Sequence, residues 1–246
     1  NTAVGLNCIA SNTTGEKNTA VGRNALVSNT TANENVAVGS YALDACTTGA
    51  ENTAVGTDAL GSLTTAHRSV AVGRQAGLSI TTGVRNHAFG YEALESCTTG
   101  QENTAVGFFA GGYLTTGSGN ICIGNNSGTH LSPSGSLTTH SNVVVLGDNN
   151  VTASYIKVDW TTGSDQRDKT DIQDITTGLD FVKQLKPKSF WFKTDRDSDV
   201  KHGNKKYGFL AQDILALEGS DPVIINNEDE DSLKYQGSHL IPILVN

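Results

Sequence analysis

Aromatic side chains are scarce in this sequence: they make up 6% of its 246 residues, although 37% of the residues are hydrophobic. With so few large apolar side chains, we expect a core that is thin or shared between neighbouring chains. No run reaches the roughly 18 apolar residues that a bilayer-spanning helix needs, so membrane insertion is not predicted. The chain begins at Asn1 within a repeat, so we expect a fragment of a longer soluble protein.

Basic residues are also few: 17 Lys and Arg stand against 25 Asp and Glu, which gives a net charge of -8. They form no basic stripe along the chain. Because binding to a phosphate backbone depends on such clustered positive charge, no nucleic-acid partner is predicted.

A repeat of 17 residues, built on the motif Asn-Thr-Ala-Val-Gly, dominates the first 150 residues. Its successive starting residues are Asn1, Asn18, Asn35, Asn52, Ser69, Asn86, Asn103 and Asn120. A longer spacer, THLSPSGSLTTHS, precedes a last, atypical repeat that begins at Asn142. A fixed period of this length is the signature of a solenoid, in which each repeat forms one coil.

Each repeat contains two small apolar spots, such as Ala20-Val21 and Ala25-Leu26, separated by glycine and followed by a Thr-Thr turn. Both spots have the length of a short strand, so we predict two strands per coil in a parallel β-solenoid. A coil with Ala, Val and Leu as its buried set encloses little, so we expect neighbouring chains to complete the core. Three chains about a common axis, a homotrimer, is the expected closure.

The asparagine that recurs in every coil predicts a ladder of side-chain amides bonded to backbone, rather than a ligand site. Tandem NTAVGxxAL…TTG units over residues 1 to about 150 resemble the head repeats of YadA-type trimeric adhesins and the shafts of phage tail fibres. The resemblance implies a mainly β fold: a trimeric left-handed parallel β-roll or β-solenoid.

The cysteines and histidines predict neither a disulfide nor a metal or cofactor site. Cys46 and Cys97 share a repeat position but lie three coils apart, ~14 Å along the axis, beyond the roughly 7 Å limit for bridging. No CxxC pair occurs, so we expect the cysteines to be small buried residues with free thiols, consistent with assembly of the protein in a reducing cytoplasm. His130 and His140 flank the spacer without the close spacing of a metal site. The four cysteines are Cys8, Cys46, Cys97 and Cys122.

Host attachment is the other function that the repeats suggest. The spacer from Leu131 to His140 and the aromatic residues Phe108, Phe109 and Tyr113 could contact a host-surface receptor or glycan, because aromatic surfaces suit sugar stacking. The favoured interpretation is packing, in which these aromatics close the end of the thin core. The glutamates of the repeats lie at turn positions, so a glycosidase carboxylate pair is not predicted.

The composition changes near residue 160, which predicts a shaft at 1–160 and a second domain at 161–246. Residues 1–150 contain 5 Lys and Arg, whereas residues 151–246 contain 12.

In the second domain we predict a helix over Asp174 to Leu185 with a Thr177/Asp180 capping box, and a strand at Lys188 to Phe192. A second helix over YGFLAQDILALEG should begin at Tyr207 and end at Gly219, a short strand should cover Val223 to Ile225, and a third helix should begin near the end. The domain is therefore predicted to be small and α+β.

Ser164 and Lys169 stand five residues apart in the polar stretch SDQRDKTDI. A serine becomes a nucleophile at neutral pH only when a base takes its proton, and a lysine can be that base when burial destabilises its ammonium. The spacing alone is also typical of a solvated turn with local ion pairs.

The motifs SDQRDKTDI, GLDFVKQLKPKSFWFK, YGFLAQDI and YQGSHLIPIL resemble, in this order, the self-cleaving intramolecular chaperone domain of phage tail spikes and fibres, known from endosialidases and myelin regulatory factor. The resemblance implies an autoproteolytic serine endopeptidase, with Ser164 as nucleophile and Lys169 as general base. Asp165, Arg167, Asp171 and Ile172 match the rest of the signature. Such domains align three chains and then release themselves, which implies a virion tail fibre assembled in the host cytoplasm. The family continues into C-terminal helices that this fragment is expected to lack.

Two bonds remain candidates for the cut. Within one chain, the Ser164 hydroxyl reaches the Gly163 carbonyl through a five-membered ring, which favours the Gly163-Ser164 bond. A nucleophile from a neighbouring subunit leaves Ser164-Asp165 equally open. The alternative function is a structural or adhesive trimeric fibre whose C-terminal domain is a permanent, uncleaved clamp.

Overall fold

The computed structural model describes residues 1–157, 165–175, 177–193, 199–219, 222–227 and 233–245. The chain forms two compact units, Asn1–Val151 and Thr152–Asn246, here called the solenoid and the C-terminal unit. The strands of the solenoid are β1 (Thr2–Val4), β2 (Thr19–Val21), β3 (Val36–Val38), β4 (Thr53–Val55), β5 (Val70–Val72), β6 (His87–Phe89), β7 (Thr104–Val106), β8 (Ile121–Ile123) and β9 (Val144–Leu146).

The nine strands form one parallel sheet in chain order, and every neighbouring pair is in register. Ala20 pairs with Ala37 and Ala37 with Ala54, so equivalent positions of successive repeats stack on one another. The last step is longer because the spacer lies between β8 and β9, yet Cys122 still pairs with Val145. The predicted parallel β-solenoid with a terminal atypical coil is confirmed.

Each coil has one strand of three residues, so the prediction of two strands per coil is wrong. The second apolar spot forms consecutive tight turns in which Asn24 and Leu26 adopt left-handed backbone angles, with φ of 57° and 51°. These angles lie outside the β region, so the segment cannot extend as a strand. Leu26 is nevertheless fully buried, and its N–H donates to the Ala42 carbonyl of the next coil at 3.0 Å.

The core closes within a single chain. The middle residue of an internal strand points inward and is fully buried, as Ala37 and Ala54 are, and the leucines of the turns, such as Leu43 and Leu60, meet them. Alanine is small enough for the two walls of a coil to approach closely, which removes the need for large apolar side chains. The expectation that other chains must complete the core is therefore wrong.

The glycine after each strand permits this close stacking. Gly56 has φ of +135°, and a Cβ built on it would lie 2.5 Å from the carbonyl oxygen of Gly73 in the next coil. Only a residue without a side chain fits this backbone angle and this distance.

The predicted asparagine ladder is confirmed. The Asn18 Oδ1 accepts the N–H of Asn35 at 3.0 Å, and the Asn35 Nδ2 donates to the Gly49 carbonyl at 2.8 Å. Ser69 interrupts the series: its hydroxyl accepts the Asn86 N–H at 3.3 Å, but it has no amide that could reach the Gly83 carbonyl. The asparagines of the internal coils, Asn18, Asn35, Asn52, Asn86 and Asn103, each use both the oxygen and the nitrogen of the amide in buried hydrogen bonds.

The C-terminal unit is small and contains short helices and two-stranded sheets. Strands β10 and β11 pair antiparallel, as do β12 and β13. Its core cluster, separate from that of the solenoid, joins Ile214, Ile224, Ile225 and Leu240. The elements are α1 (Leu179–Val182), β10 (Lys188–Lys193), β11 (Lys201–Gly208), α2 (Ala211–Glu218), β12 (Ile225–Asn226), β13 (Lys234–Tyr235) and α3 (Leu240–Val245).

Several predicted elements of this unit are corrected. Helix α1 covers only the middle of the predicted Asp174 to Leu185, and its N-cap is Gly178, without a side-chain cap, instead of a Thr177/Asp180 box. Tyr207 and Gly208 belong to strand β11, so helix α2 begins later than predicted, although it ends at Gly219 as expected. Strand β12 begins at Ile225 rather than Val223. Strand β10 and the final helix α3 are confirmed.

Candidate functional site

The signature segment that follows Ser164 folds into one 3-10 helical turn. Gln166–Asp168 form the turn, Asp165 is its N-cap and Lys169 its C-cap. The Asp165 Oδ1 accepts the backbone N–H of Arg167 at 2.9 Å, and the N–H of Lys169 donates to the Gln166 carbonyl at 3.2 Å. An aspartate at this position satisfies a turn N–H that would otherwise lack a partner.

The same carboxylate also binds the Arg167 guanidinium. Nε lies 3.0 Å from Oδ1, and Nη2 lies 2.6 Å from Oδ2, a bidentate arrangement. This hydrogen-bonded guanidinium lowers the pKa of Asp165, and the carboxylate raises the pKa of Arg167. Because the Arg167 side chain is 88% exposed, the ion pair by itself contributes little to stability.

The predicted catalytic residues are only partly described. Lys169 is exposed and directly follows the turn, whereas Gly163 and Ser164 lie outside the described residues. Asp171, also exposed, has φ of 52°, an uncommon angle that aspartate tolerates better than most residues. The structure thus brings Asp165 and Arg167 together and places Lys169 at the end of their turn.

A second feature, which sequence reasoning missed, lies around Glu218 at the end of α2. Its carboxylate accepts three successive backbone N–H groups, from Val223 at 2.8 Å, Ile224 at 2.6 Å and Ile225 at 3.0 Å. The His239 Nδ1 is 2.8 Å from the Val223 carbonyl. No sequence signal distinguishes this glutamate from a solvated residue at a helix end.

These residues border a cavity of about 230 Å³ in the C-terminal unit. Side chains from the segment after the signature, from α1, from α2, from the entry to β12, and from α3 and the residue before it form its walls, and most of them are apolar. The lining residues are Ile175, Thr177, Phe181, Leu217, Glu218, Val223, Ile224, His239 and Ile243.

The cysteines of the solenoid are free thiols. Cys46, Cys97 and Cys122 are buried, and all four cysteines are free. Burial raises the pKa of the Cys46 and Cys97 thiols to about 11. Within the described ranges no group of three or more His, Cys, Asp or Glu side chains could hold a metal ion.

The aromatic residues near the last coils lie at the surface. Phe108 is 53% and Tyr113 is 37% exposed, so these two rings do not close the end of the core, whereas Phe109 is half-buried. Phe108 stacks on Tyr91 of the preceding coil with ring centroids 5.2 Å apart. Arg74, one coil earlier, lies 5.4 Å from the Tyr91 ring and donates to its hydroxyl at 2.7 Å. The rings therefore stack along the coils, since each coil presents the same position.

The outer face of the long sheet is apolar. The third residue of each strand points away from the core, and at the later coils these side chains are large and about two-fifths or more exposed. We call this set the outer stripe: Val4, Val21, Val38, Val55, Val72, Phe89, Val106, Ile123 and Leu146.

Residues 164–220 match the family model described as chaperone of endosialidase, a segment of about a quarter of the chain. This match begins at Ser164, lies after the β-solenoid and near the C-terminus, and confirms the resemblance drawn from the motifs over these residues. No curated protein and no solved structure matches the chain. Among the described residues no helix combines the length and the apolar character that crossing a bilayer requires.

Proposed function

We propose that this chain is a segment of a viral tail fibre whose C-terminal unit assembles three copies of the solenoid and then releases itself by autoproteolysis. A chaperone-of-endosialidase match that begins at Ser164, directly after a β-solenoid, is the observation that carries the proposal. A solenoid followed by such a domain fits a tail-fibre segment. The self-cleaving activity is what the family's peptidase character implies for Ser164 and Lys169.

The proposed chemistry uses Ser164 as nucleophile and Lys169 as general base. The Ser164 Oγ forms a bond to the Gly163 carbonyl carbon as Lys169 takes the hydroxyl proton. Lys169 returns that proton to the leaving amine of Ser164, so the peptide bond breaks and an ester remains. Water then hydrolyses the ester to a carboxylate and the free serine hydroxyl. If the hydroxyl of a neighbouring subunit attacks instead, the Ser164-Asp165 bond breaks by the same proton transfers.

Trimerisation is supported by the outer stripe rather than by the core. Val72, Val106 and Leu146 are 39%, 40% and 54% exposed, although the inward-facing residues before them, Ala71, Ala105 and Val145, are buried. Contiguous apolar surface of this kind is typical of protein–protein interfaces. Packing three stripes about one axis would remove these side chains from water without changing the fold of a coil.

The repeat also explains why such a fibre would need a chaperone. Because the coils are alike, three stripes could associate one or more coils out of register and keep most of their contacts. A C-terminal clamp that joins the chains at one end sets the register before the coils pair. Removal of the clamp afterwards would close the route back to separate chains and leave the shaft kinetically stable.

A permanent clamp without cleavage is the second candidate function, and the partial exposure of the stripe is compatible with both. Light scattering tests the trimer, and intact mass tests the cleavage, on the same purified sample. A trimer of full-length chains supports the permanent clamp, whereas a trimer of shortened chains supports autoproteolysis. A monomer contradicts both. Virion location and contact with a host receptor or glycan remain predictions of the tail-fibre assignment.

A further inference from the structure

The turn between Asp165 and Lys169 bears on how the proposed nucleophile and base could meet. In an extended chain, residues five apart are separated by about 17 Å, which is far beyond hydrogen-bond reach. A 3-10 helical turn rises only ~2 Å per residue. The turn over Gln166–Asp168 therefore shortens the path between the residue after Ser164 and Lys169.

One side chain, that of Asp165, binds both the backbone and the side chain of Arg167 within this turn. The Asp165 carboxylate caps the turn by accepting the Arg167 N–H at 2.9 Å, and it simultaneously holds the Arg167 guanidinium at 2.6 and 3.0 Å. Asp165 and Arg167 are both exposed, so no packing replaces these bonds when they are lost. The flanking backbone is extended at Asp165, with ψ of 134°, and at Lys169, with ψ of 146°.

We infer that Asp165 is a positioning residue for self-cleavage: its capping bond fixes the turn that ends at Lys169, the proposed base, and Arg167 holds the carboxylate in place. This inference rests on the proposed function. In this role the acceptor oxygen of Asp165 matters more than its negative charge, because the bond that shapes the backbone is the one to the Arg167 N–H.

Asparagine separates the two contributions, since it caps a turn about as well as aspartate but carries no charge. We expect Asp165→Asn to cleave within about twofold of the wild type, and Asp165→Ala to cleave at least about fivefold more slowly, the factor that corresponds to one lost cap. Exchanging the charges in Asp165→Arg/Arg167→Asp removes the acceptor from the cap and should not restore the rate. Asp174→Ala, an exposed carboxylate on the same segment, is the control.

The rate is measured on the full chain, by mass spectrometry during cell-free synthesis at several pH values. In Asp165→Ala the rate should fall by the same factor at every pH, because the lost cap changes the position of Lys169 and leaves the reacting groups themselves unchanged. An asparagine variant as slow as the alanine variant, or a charge exchange that restores cleavage, would overturn the capping role. A wild type that stays intact would overturn the proposed function and this role together, whereas an alanine variant as fast as a cleaving wild type would overturn this role alone.

Discussion

Single buried residues hold the coils of the solenoid together. Asn52 shows the pattern: its N–H bonds the Asn35 Oδ1 at 2.9 Å, and its own amide bonds the Ala66 carbonyl at 2.9 Å. Because these groups are fully buried, each bond that is lost leaves a polar atom without water. The regular recurrence of asparagine in the sequence follows directly from this requirement.

Ser69 is the weak position of this ladder, and replacing it should stabilise the protein. Ser69→Asn supplies the amide that the equivalent residues direct at the carbonyl fourteen residues further on, here Gly83. One additional buried hydrogen bond should raise the free energy of unfolding by about 1 kcal/mol. The measurement is urea denaturation of the full chain.

The matched control for Ser69→Asn is the reverse change in a neighbouring coil. Asn52→Ser should lower the free energy of unfolding by about 1–3 kcal/mol, because the Ala66 carbonyl then loses its buried donor. If Ser69→Asn left the urea concentration at the unfolding midpoint unchanged while Asn52→Ser lowered it, the asparagines would be important for a reason other than the hydrogen bonds of their side-chain amides.

At the scale of elements, period and composition predict more than local strand and helix signals do. The 17-residue period predicts one stacked coil per repeat whatever the local backbone, and this holds from β1 to β8, after which the spacer lengthens the step to β9. The second strand fails because a buried leucine at φ of 51° has the same sequence signature as a strand leucine. Strand β11 is not predicted because its sequence, rich in lysine, lacks the alternation of apolar and polar residues that marks a strand. The Lys201 Nζ lies 4.2 Å from the Trp191 ring, so the aliphatic part of this lysine covers an aromatic face as an apolar residue would.

The site shows the same division between what sequence can and cannot predict. Motif order locates the chaperone segment, since the match begins at Ser164. Asp165 and Arg167 are predicted only as members of a signature, because sequence alone does not reveal that one carboxylate serves both a backbone N–H and a guanidinium. The role of Glu218 is not predicted at all, since its carboxylate comes within reach of the N–H groups that it binds only when α2 and β12 pack together.

Glu218 should determine the local stability of the entry to β12. Hydrogen bonds to an ionised carboxylate are stronger than neutral ones, so Glu218→Gln should weaken the Val223 to Ile225 backbone, and Glu218→Ala should weaken it more. We expect amide hydrogen exchange there to accelerate by roughly tenfold in the glutamine variant. Mass spectrometry of the exchanged full chain measures it.

Gln212→Ala, a change at an exposed position of the same helix, serves as the control for this experiment. It should leave exchange at Val223 to Ile225 unchanged. Equal exchange in the wild type and both Glu218 variants would show that the three bonds to Glu218 do not hold this segment.

At the scale of the whole molecule, the outer stripe should decide whether chains associate. Val106→Asp places a carboxylate on this face, where burial against other copies is costly, so association should weaken by at least about tenfold per chain. Because Val106 is 40% exposed in the single chain, the coil itself should tolerate the change. Sedimentation velocity at micromolar concentration would report the shift from trimer to monomer.

Gln101→Asp introduces the same charge at an exposed polar position in the coil that precedes β7, and it should leave the proposed trimer intact. A trimer that persists in Val106→Asp would show that the chains meet through another surface. Monomeric Gln101→Asp would instead point to a general effect of net charge on association.

Self-cleavage is tested most directly by comparing the intact mass of the purified wild type with those of Ser164→Ala and Lys169→Ala. Autoproteolysis predicts that wild type loses about 9 kDa, the share of the 25.8 kDa chain that runs from Ser164 to Asn246, while both variants keep their full mass. The fragment masses also identify the bond: Ser164 stays on the C-terminal fragment if Gly163-Ser164 breaks, and on the N-terminal fragment if Ser164-Asp165 breaks. A wild type of full mass, or a Ser164→Ala chain cut at the same place, would contradict self-cleavage by the Ser164/Lys169 pair.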